Sequence, residues 1–201
     1  MQRISEWISH NWLELFGAVS GVVYILLSVK QRVLTWPVGF INSVIYIVVF
    51  YQSKFYADMT MQFYYAVVAI YGWILWSGKN NNKSDLPLKV SRISGIQWLI
   101  YLCLSLLLSG IIFMLLHYFT DSPIAIPDSL TSGFAIVGTW MLVKKYLENW
   151  IFWIVIDLYS SILYAQRELY FTMILYVVFT IMAVVGFKEW KSHCKKEGQL
   201  L

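Results

Sequence analysis

The sequence predicts an all-α membrane protein with seven transmembrane helices, arranged as two three-helix halves joined by one linking helix. Three observations predict this fold class, and the first is composition. Of the 201 residues, 59% are hydrophobic and only 13% are charged, and the mean hydropathy is +0.64. A soluble domain carries about 25% charged residues, so this chain lacks the polar surface to face water on every side. The second observation is a series of apolar runs, and the third is an internal repeat.

Seven apolar runs are separated by polar breaks, and most approach the roughly 20 residues that a helix needs to cross the hydrocarbon core. The predicted spans are residues 12–29, 37–53, 58–77, 94–118, 128–143, 149–166 and 169–187. The second span begins at Pro37, which the first turn of a helix tolerates. The polar residues 77–92 predict a solvated loop, and residues 1–15 lack the small-residue cleavage site of a signal peptide.

The distribution of Lys and Arg predicts the orientation. Twelve of the 15 lie in the C-terminal tail and in the loops after spans one, three and five, and the other three are Arg3, Lys54 and Arg167. Because positive residues are enriched on the cytoplasmic side, we expect the N-terminus outside and the C-terminus in the cytoplasm. The net charge of +4 then arises from the Lys and Arg residues on the predicted cytoplasmic side, and no nucleic-acid partner is expected.

An internal repeat relates the two ends of the chain at a constant offset of 114 residues. The matched pairs are Trp36 and Trp150, Gln52 and Gln166, Tyr56 and Tyr170, Gly72 and Gly186, and Trp76 and Trp190. Such repeats are typical of transporters. Three spans invert the chain and a single linking span inverts it again, so the halves are expected to be parallel. The prediction is one domain over 1–201, with halves 12–77 and 128–190 and a linking helix 94–118.

The sixth span carries the strongest candidate for a ligand site. Its residues Trp150, Trp153, Asp157, Ser160 and Tyr164 recur at helical spacing on one face. A carboxylate at the centre of a span costs about 2.5–3.5 kcal/mol, so it usually faces a cavity or a partner. Indole rings attract flat cations by about 0.5–2 kcal/mol. The pattern predicts a site for a cationic aromatic ligand, with a structural polar cluster as the alternative. For Trp150, at the entrance of the span, anchoring at the membrane interface is the favoured interpretation.

The first half supplies further candidates. Asn42 and Tyr46 share a face of the second span, and Gln62 and Tyr65 lie in the third. An amide inside a membrane span needs a hydrogen-bond partner, which can be another helix or a ligand. Both interpretations stay open for Asn42 and Gln62.

No pattern in the sequence predicts an enzyme, a metal site or a bound cofactor. The three histidines are scattered, and the HExxH, GxSxG and P-loop patterns are absent. Cys103 and Cys194 lie in unlike surroundings, which does not suggest a disulfide. Asp157 is the only ionisable residue well inside a span, so neither a sodium site nor a proton relay is evident. Passive carriage is the simplest mechanism.

Three stretches of the chain resemble the PnuC-type vitamin transporters, bacterial inner-membrane carriers of nicotinamide riboside and related compounds. They are WPVGFINSVIYIVVF from Trp36, FYADMTMQFYYAVVAIYGWILW from Phe55, and KKYLENWIFWIVIDLYSSILYAQRELYFTMILY from Lys144. The spacing Trp150-x-x-Trp153-x-x-x-Asp157 is similar to that family's substrate-binding pattern, in which two tryptophans precede Asp or Asn.

This resemblance implies a fold similar to full-length SWEET carriers, with a 3+1+3 plan, and a homotrimer. It implies facilitated diffusion, made one-way by a separate cytoplasmic kinase that phosphorylates the substrate. Trp153 and Asp157 would contact the substrate, and Gln62 would match a glutamine of the third span. Nicotinamide riboside is the leading substrate and thiamine the second, since both are cationic aromatics. A seven-helix sensor without transport is the alternative from another class.

Overall fold

The computed structural model describes residues 16–17, 19–52, 56–78, 88–120 and 125–196. These residues form seven α-helices, and apart from one isolated bridge between Ser91 and Tyr146 they contain no β-structure. The helices are α1 (Val19–Val29), α2 (Thr35–Gln52), α3 (Tyr56–Trp76), α4 (Gly95–Phe119), α5 (Ala125–Val143), α6 (Asn149–Gln166) and α7 (Tyr170–Lys196). The predicted all-α class is confirmed.

Four of the described helices are long and apolar enough to cross a membrane: α2, α4, α5 and α7. Apart from the charged residues at the end of α7, their outward side chains are mainly apolar. On α4, for example, Ile96, Leu99 and Leu107 are 75%, 62% and 61% exposed. Large exposed apolar surfaces of this kind are matched to lipid and not to water. Helices α3 and α6 are of similar length but carry the amide and the carboxylate that the sequence analysis singles out.

Two helix ends differ from the predicted spans by more than two residues, and the predicted start of the first span, at residue 12, lies outside the described residues. Helix α5 begins at Ala125, three residues before the predicted start, with Pro127 in its first turn. Proline is tolerated there because the first backbone N–H groups of a helix have no intrahelical acceptor. Helix α7 continues to Lys196, nine residues past the predicted end. The extension is stabilised by burial, since Trp190 and Cys194 have no exposed surface.

The chain divides into two compact units, residues 1–81 and 82–201. In the first, α2 packs along α3. Trp36, at the start of α2, lies against Gly72 and meets Trp76 edge to face, with 5.1 Å between ring centroids. Helix α1 contacts α2 through Tyr24, whose ring covers Gly39. Glycine at 39 and 72 allows these close approaches because it has no Cβ.

In the second unit, α4 packs on α5, α5 on α6 and α6 on α7. The α4–α5 crossing is close because Gly133 faces Ser109 and the backbone of Ser105. The core of the unit consists of Ile93, Val137, Met141, Phe152 and Ile156. Trp150, at the start of α6, lies against Gly186 and meets Trp190 edge to face, at 5.4 Å.

Residues matched by the 114-residue offset have the same local geometry within their own units. Gln31 and Lys145 both adopt left-handed backbone, with φ of 52° and 53°. The N–H of Gln31 donates to Ser28 O at 3.0 Å, and that of Lys145 donates to Leu142 O at 2.9 Å. Neither residue is glycine, so the surrounding turn must hold this uncommon conformation in place. The two Trp–Gly–Trp clusters are related by the same offset: Trp36, Gly72 and Trp76 correspond to Trp150, Gly186 and Trp190.

A short segment, residues 90–94, ties the start of the second unit to the turn between α5 and α6; we call it the strap. Ser91 donates to Lys145 O at 3.1 Å and accepts from Leu147 N–H at 2.9 Å. The buried carboxylate of Glu148 accepts from Arg92 Nε at 3.2 Å and from Ile93 N–H at 3.1 Å. These contacts fix the residue directly before α6.

Candidate functional site

The candidate site lies on helix α6, whose start is firmly held. Glu148 is bound to the strap, and the next residue, Asn149, donates from Nδ2 to Tyr146 O at 2.6 Å. Trp153, Asp157 and Ser160 follow in the next turns and lie on one side of the helix. A fixed helix start gives these side chains a fixed position along the helix axis.

Asp157 is a buried carboxylate to which the protein offers no partner. Its side chain is 5% exposed, and it forms no hydrogen bond or ion pair with any residue that the structure describes. Burying a carboxylate in this way is unfavourable unless something pairs with it. The arrangement therefore leaves both oxygens available to a ligand.

Four other buried side-chain atoms within the described ranges also lack a partner, but these are sealed from any open space. They are Thr35 Oγ1, Trp36 Nε1, Asn149 Oδ1 and Trp150 Nε1. The oxygens of Asp157 are not among these four enclosed atoms.

Trp153 is half-buried and packs against the core of the second unit. A Cβ added at Gly138 of α5 would lie 3.6 Å from its Nε1, so the indole is held in contact with the α5 backbone. Its remaining surface is open. Trp153 thus supplies a rigid aromatic wall on the same side of α6 as Asp157.

Trp150 occupies a different environment from Trp153. It is 2% exposed, and its ring is enclosed by Gly186 and Trp190. A Cβ at position 186 would lie 2.6 Å from Cζ2 of the ring. This placement favours the anchoring interpretation of Trp150 over direct ligand contact.

Tyr164, two turns beyond Asp157, stacks on Tyr176 of α7, with the ring centroids 5.2 Å apart and an interplanar angle of 22°. The stacked pair fixes one end of the polar face. Ser160 lies between Asp157 and Tyr164 and is 5% exposed. The second unit therefore brings together Trp153, Asp157 and Ser160, with Tyr164 one turn further along.

The candidates of the first unit separate into two sets. Asn42 Oδ1 accepts from Ser20 Oγ of α1 at 3.2 Å, and the Tyr46 hydroxyl approaches Gly17, just before α1. Gln62 is half-buried and bonds to no residue in the described part of the chain. Tyr65 lies beside Tyr64, with 5.4 Å between ring centroids. The amide of Gln62 is therefore left without a described partner.

Two buried groups are missing from the sequence-based candidates. Ser43 is 4% exposed and lacks a hydrogen-bond partner among the described residues. The internal repeat could have identified Ser43 as a candidate, because the offset of 114 residues relates it to Asp157. Glu148 is 2% exposed, but its partners come from the strap, more than fifty residues earlier, so no local pattern identifies it. Within the described residues, no three His, Cys, Asp or Glu side chains form a metal site.

Several long apolar helices, together with an unpaired carboxylate buried on the neighbouring helix α6, are features of a multi-pass membrane transport protein. A sequence profile of the nicotinamide mononucleotide transporter family matches residues 11–192, and the chain belongs to this family. The predicted family is thereby confirmed, and the family is one of transporters, not enzymes.

Relatives of this chain include the nicotinamide riboside transporter PnuC of Escherichia coli. It is 24% identical over 212 residues, which cover 94% of this chain and 88% of that protein. PnuC of Neisseria mucosa is 24% identical over 200 residues, covering 94% and 75%. The riboflavin/roseoflavin transporter RibM of Streptomyces davaonensis is 20% identical over 191 residues, covering 94% and 88%.

The fold matches a crystal structure of the vitamin B3 transporter PnuC, with a TM-score of 0.74 and 22% sequence identity. The match covers 97% of this chain and 87% of that one. The two proteins share a fold along nearly the whole of the present chain.

Proposed function

We propose that this protein carries nicotinamide riboside across the bacterial inner membrane by facilitated diffusion. A separate cytoplasmic kinase would then trap the substrate by phosphorylation. The observation that carries the proposal is Asp157, a buried carboxylate without a described partner, one turn from the open indole of Trp153. Two of the relatives above, from E. coli and N. mucosa, are named as carriers of this same substrate.

The chemistry of the site suits a flat cation. The pyridinium ring of nicotinamide riboside is aromatic and positively charged, and it can stack on Trp153 with an attraction of about 0.5–2 kcal/mol or more when water is excluded. Asp157 offsets the ligand's charge and accepts hydrogen bonds, and the ligand in turn relieves the unpaired carboxylate. Trp150 acts indirectly, by packing the start of α6 against α7.

The other candidates have secondary roles in this proposal. Within the first unit, Gln62 carries an amide without a described partner, which can both donate and accept hydrogen bonds. Asn42 bonds to Ser20 of α1 and Tyr46 approaches Gly17, so both serve mainly in packing within that unit, where Tyr65 lies beside Tyr64. On α6, Tyr164 contributes aromatic surface and stacks on Tyr176.

For the architecture we propose the parallel 3+1+3 repeat, similar to full-length SWEET carriers, with α4 as the linking helix. The recurrence of the left-handed turn residue and of the Trp–Gly–Trp cluster at one offset supports it. The Lys and Arg asymmetry supports an external N-terminus and a cytoplasmic C-terminus. A homotrimer is proposed from the family resemblance alone.

Thiamine is the second candidate substrate, because it is also a cationic aromatic and would use Trp153 and Asp157 in the same way. The relative named for riboflavin and roseoflavin indicates that vitamins other than vitamin B3 are carried by proteins similar to this one. A sensor without transport is not favoured, since the family is one of transporters.

Parallel titration of the purified protein with nicotinamide riboside and thiamine tests the substrate, and uptake into proteoliposomes tests transport. We expect saturable binding and uptake of nicotinamide riboside, with free nicotinamide as the ligand control and protein-free liposomes as the transport control. If only thiamine binds, thiamine and not nicotinamide riboside is the substrate. If nicotinamide riboside binds but is not taken up, the protein is a sensor and not a carrier.

A further inference from the structure

Two neighbouring serines of α6 are equally buried but differ in their bonding. Ser160 is 5% exposed and Ser161 is 6% exposed. Ser161 Oγ donates to Leu158 O at 2.8 Å. Ser160 bonds to none of the residues that the structure describes. The two residues form a natural matched pair.

A serine or threonine inside an apolar helix ordinarily donates to a carbonyl one turn earlier. Several hydroxyls of the second unit do so at 2.8 Å: Ser105 to Tyr101 O, Ser109 to Ser105 O, and Thr139 to Ala135 O. Ser160 is an exception to this pattern. A buried hydroxyl without a partner is unfavourable, so its arrangement is explained if a ligand supplies the missing bond.

Ser160 follows Asp157 by three residues, which makes the two side chains neighbours on the helix surface, with Cβ atoms about 5–6 Å apart. An ionised carboxylate only accepts hydrogen bonds, whereas a serine hydroxyl both donates and accepts. A ligand hydroxyl held between them can donate to Asp157 and accept from Ser160. A sugar hydroxyl meets both requirements at once.

We propose that Ser160 is a specificity-determining contact of the α6 site, and that it binds a ribose hydroxyl of the substrate together with Asp157. This inference rests on the proposed function, and it specifies that the ribose is the part of the substrate that Ser160 recognises. It explains how the site would favour a riboside over the free nicotinamide base, which has no sugar hydroxyl.

The test is calorimetric titration of the full chain and its variants Ser160→Ala and Ser161→Ala. The ligands are nicotinamide riboside and its 2′-deoxy and 3′-deoxy analogues. We expect Ser160→Ala to weaken binding of the riboside about 5-fold, as loss of one hydrogen bond does, with no change for Ser161→Ala. The loss should disappear for the analogue that lacks the contacted hydroxyl. Ser160→Thr, which keeps a hydroxyl, should bind more tightly than Ser160→Ala.

The wild-type protein also provides a test that needs no variant, because it should bind one deoxy analogue more weakly than the riboside. Equal affinity for all three ligands, or equal behaviour of Ser160→Ala and Ser161→Ala, overturns the role of Ser160 and leaves the proposed function intact. Failure of the wild-type protein to bind nicotinamide riboside overturns the proposed function, and this inference with it.

Discussion

Asp157 and Trp153 define the chemistry of this protein at the scale of single residues. The carboxylate is buried without a described partner, while the indole one turn away has one side packed on α5 and the rest open. A negative charge beside an aromatic wall recognises a cation and an aromatic ring together. Each half of this recognition can be removed separately.

Replacing Asp157 with Asn should weaken binding of a cationic substrate more than binding of a neutral analogue. The amide keeps the size of the carboxylate and much of its hydrogen-bonding capacity but removes the charge. Titration of the variant with nicotinamide riboside and with its uncharged reduced form measures the difference. Equal losses for the two ligands would argue against an electrostatic role.

Trp153→Ala should weaken substrate binding at least 10-fold, equivalent to about 1.4 kcal/mol, because both stacking and the cation–π attraction are lost. Trp73→Ala is the matched control, since Trp73 is 47% exposed on α3 and has no predicted role in the site. Unchanged affinity in Trp153→Ala would remove this residue from the site.

Much of the candidate site on α6 follows from spacing in the sequence, because side chains at helical intervals must share a face. Spacing cannot distinguish Trp150 from Trp153. Both lie on that face, but the burial of Trp150 depends on Gly186 and Trp190 of α7. Nor can spacing identify unpaired groups, since nothing in the sequence shows that Ser161 bonds to Leu158 O while Ser160 bonds to no described residue.

At the scale of helices, aromatic rings pack closely against glycine, and we expect this packing to contribute to stability. Gly186→Ala should destabilise the protein by about 1–3 kcal/mol, as overpacking does, because the new methyl group would lie 2.6–2.7 Å from ring carbons of Trp150. Gly72→Ala should act in the same direction against Trp36. Thermal unfolding in detergent measures both effects.

Gly110→Ala is the matched control for these variants. A Cβ at Gly110 in α4 meets nothing within 4 Å, and alanine favours a helix over glycine by up to about 1 kcal/mol. This variant should therefore unfold at the wild-type temperature or slightly above it. If Gly186→Ala unfolded at the same temperature as Gly110→Ala, the enclosure of Trp150 would be looser than the structure indicates.

The strap predicts a second effect at this scale. Glu148→Ala leaves the buried N–H of Ile93 without its acceptor, which should destabilise the protein by about 1–3 kcal/mol. Loss of the Arg92 contact adds little, because the Arg92 side chain is 55% exposed. Glu148→Ala should therefore unfold at a lower temperature than the wild type. Glu189→Ala is the control, and it should unfold at the wild-type temperature because Glu189 is exposed. Equal unfolding temperatures would mean that the strap does not fix the start of α6.

Most helices could be predicted from the sequence because apolar runs of membrane length leave few alternatives to a helix. The end of α7 could not. Its last nine residues include seven polar or charged side chains beyond the apolar run, and they stay helical because Trp190 and Cys194 are buried. The strap was also beyond prediction, since its contacts join residues that are distant in the sequence.

At the scale of the whole molecule, the carrier should follow the substrate gradient alone. Within the described residues the buried acidic side chains are Asp157 and Glu148, and Glu148 is already paired with Arg92. Uptake into proteoliposomes should therefore be unchanged when sodium is replaced by choline or when a protonophore collapses the proton gradient. A strict requirement for either ion gradient would overturn passive carriage.

Helix α7 is longer than the hydrocarbon core of a membrane. Its 27 residues span about 40 Å, against a hydrocarbon core of about 30 Å. Its last turns, with the exposed Lys188, Lys191 and Lys195, consequently reach the layer of lipid headgroups. Each lysine there gains about 1 kcal/mol from anionic phospholipids. The negative surface charge of the surrounding leaflet thereby helps to fix the position of the protein along the membrane normal.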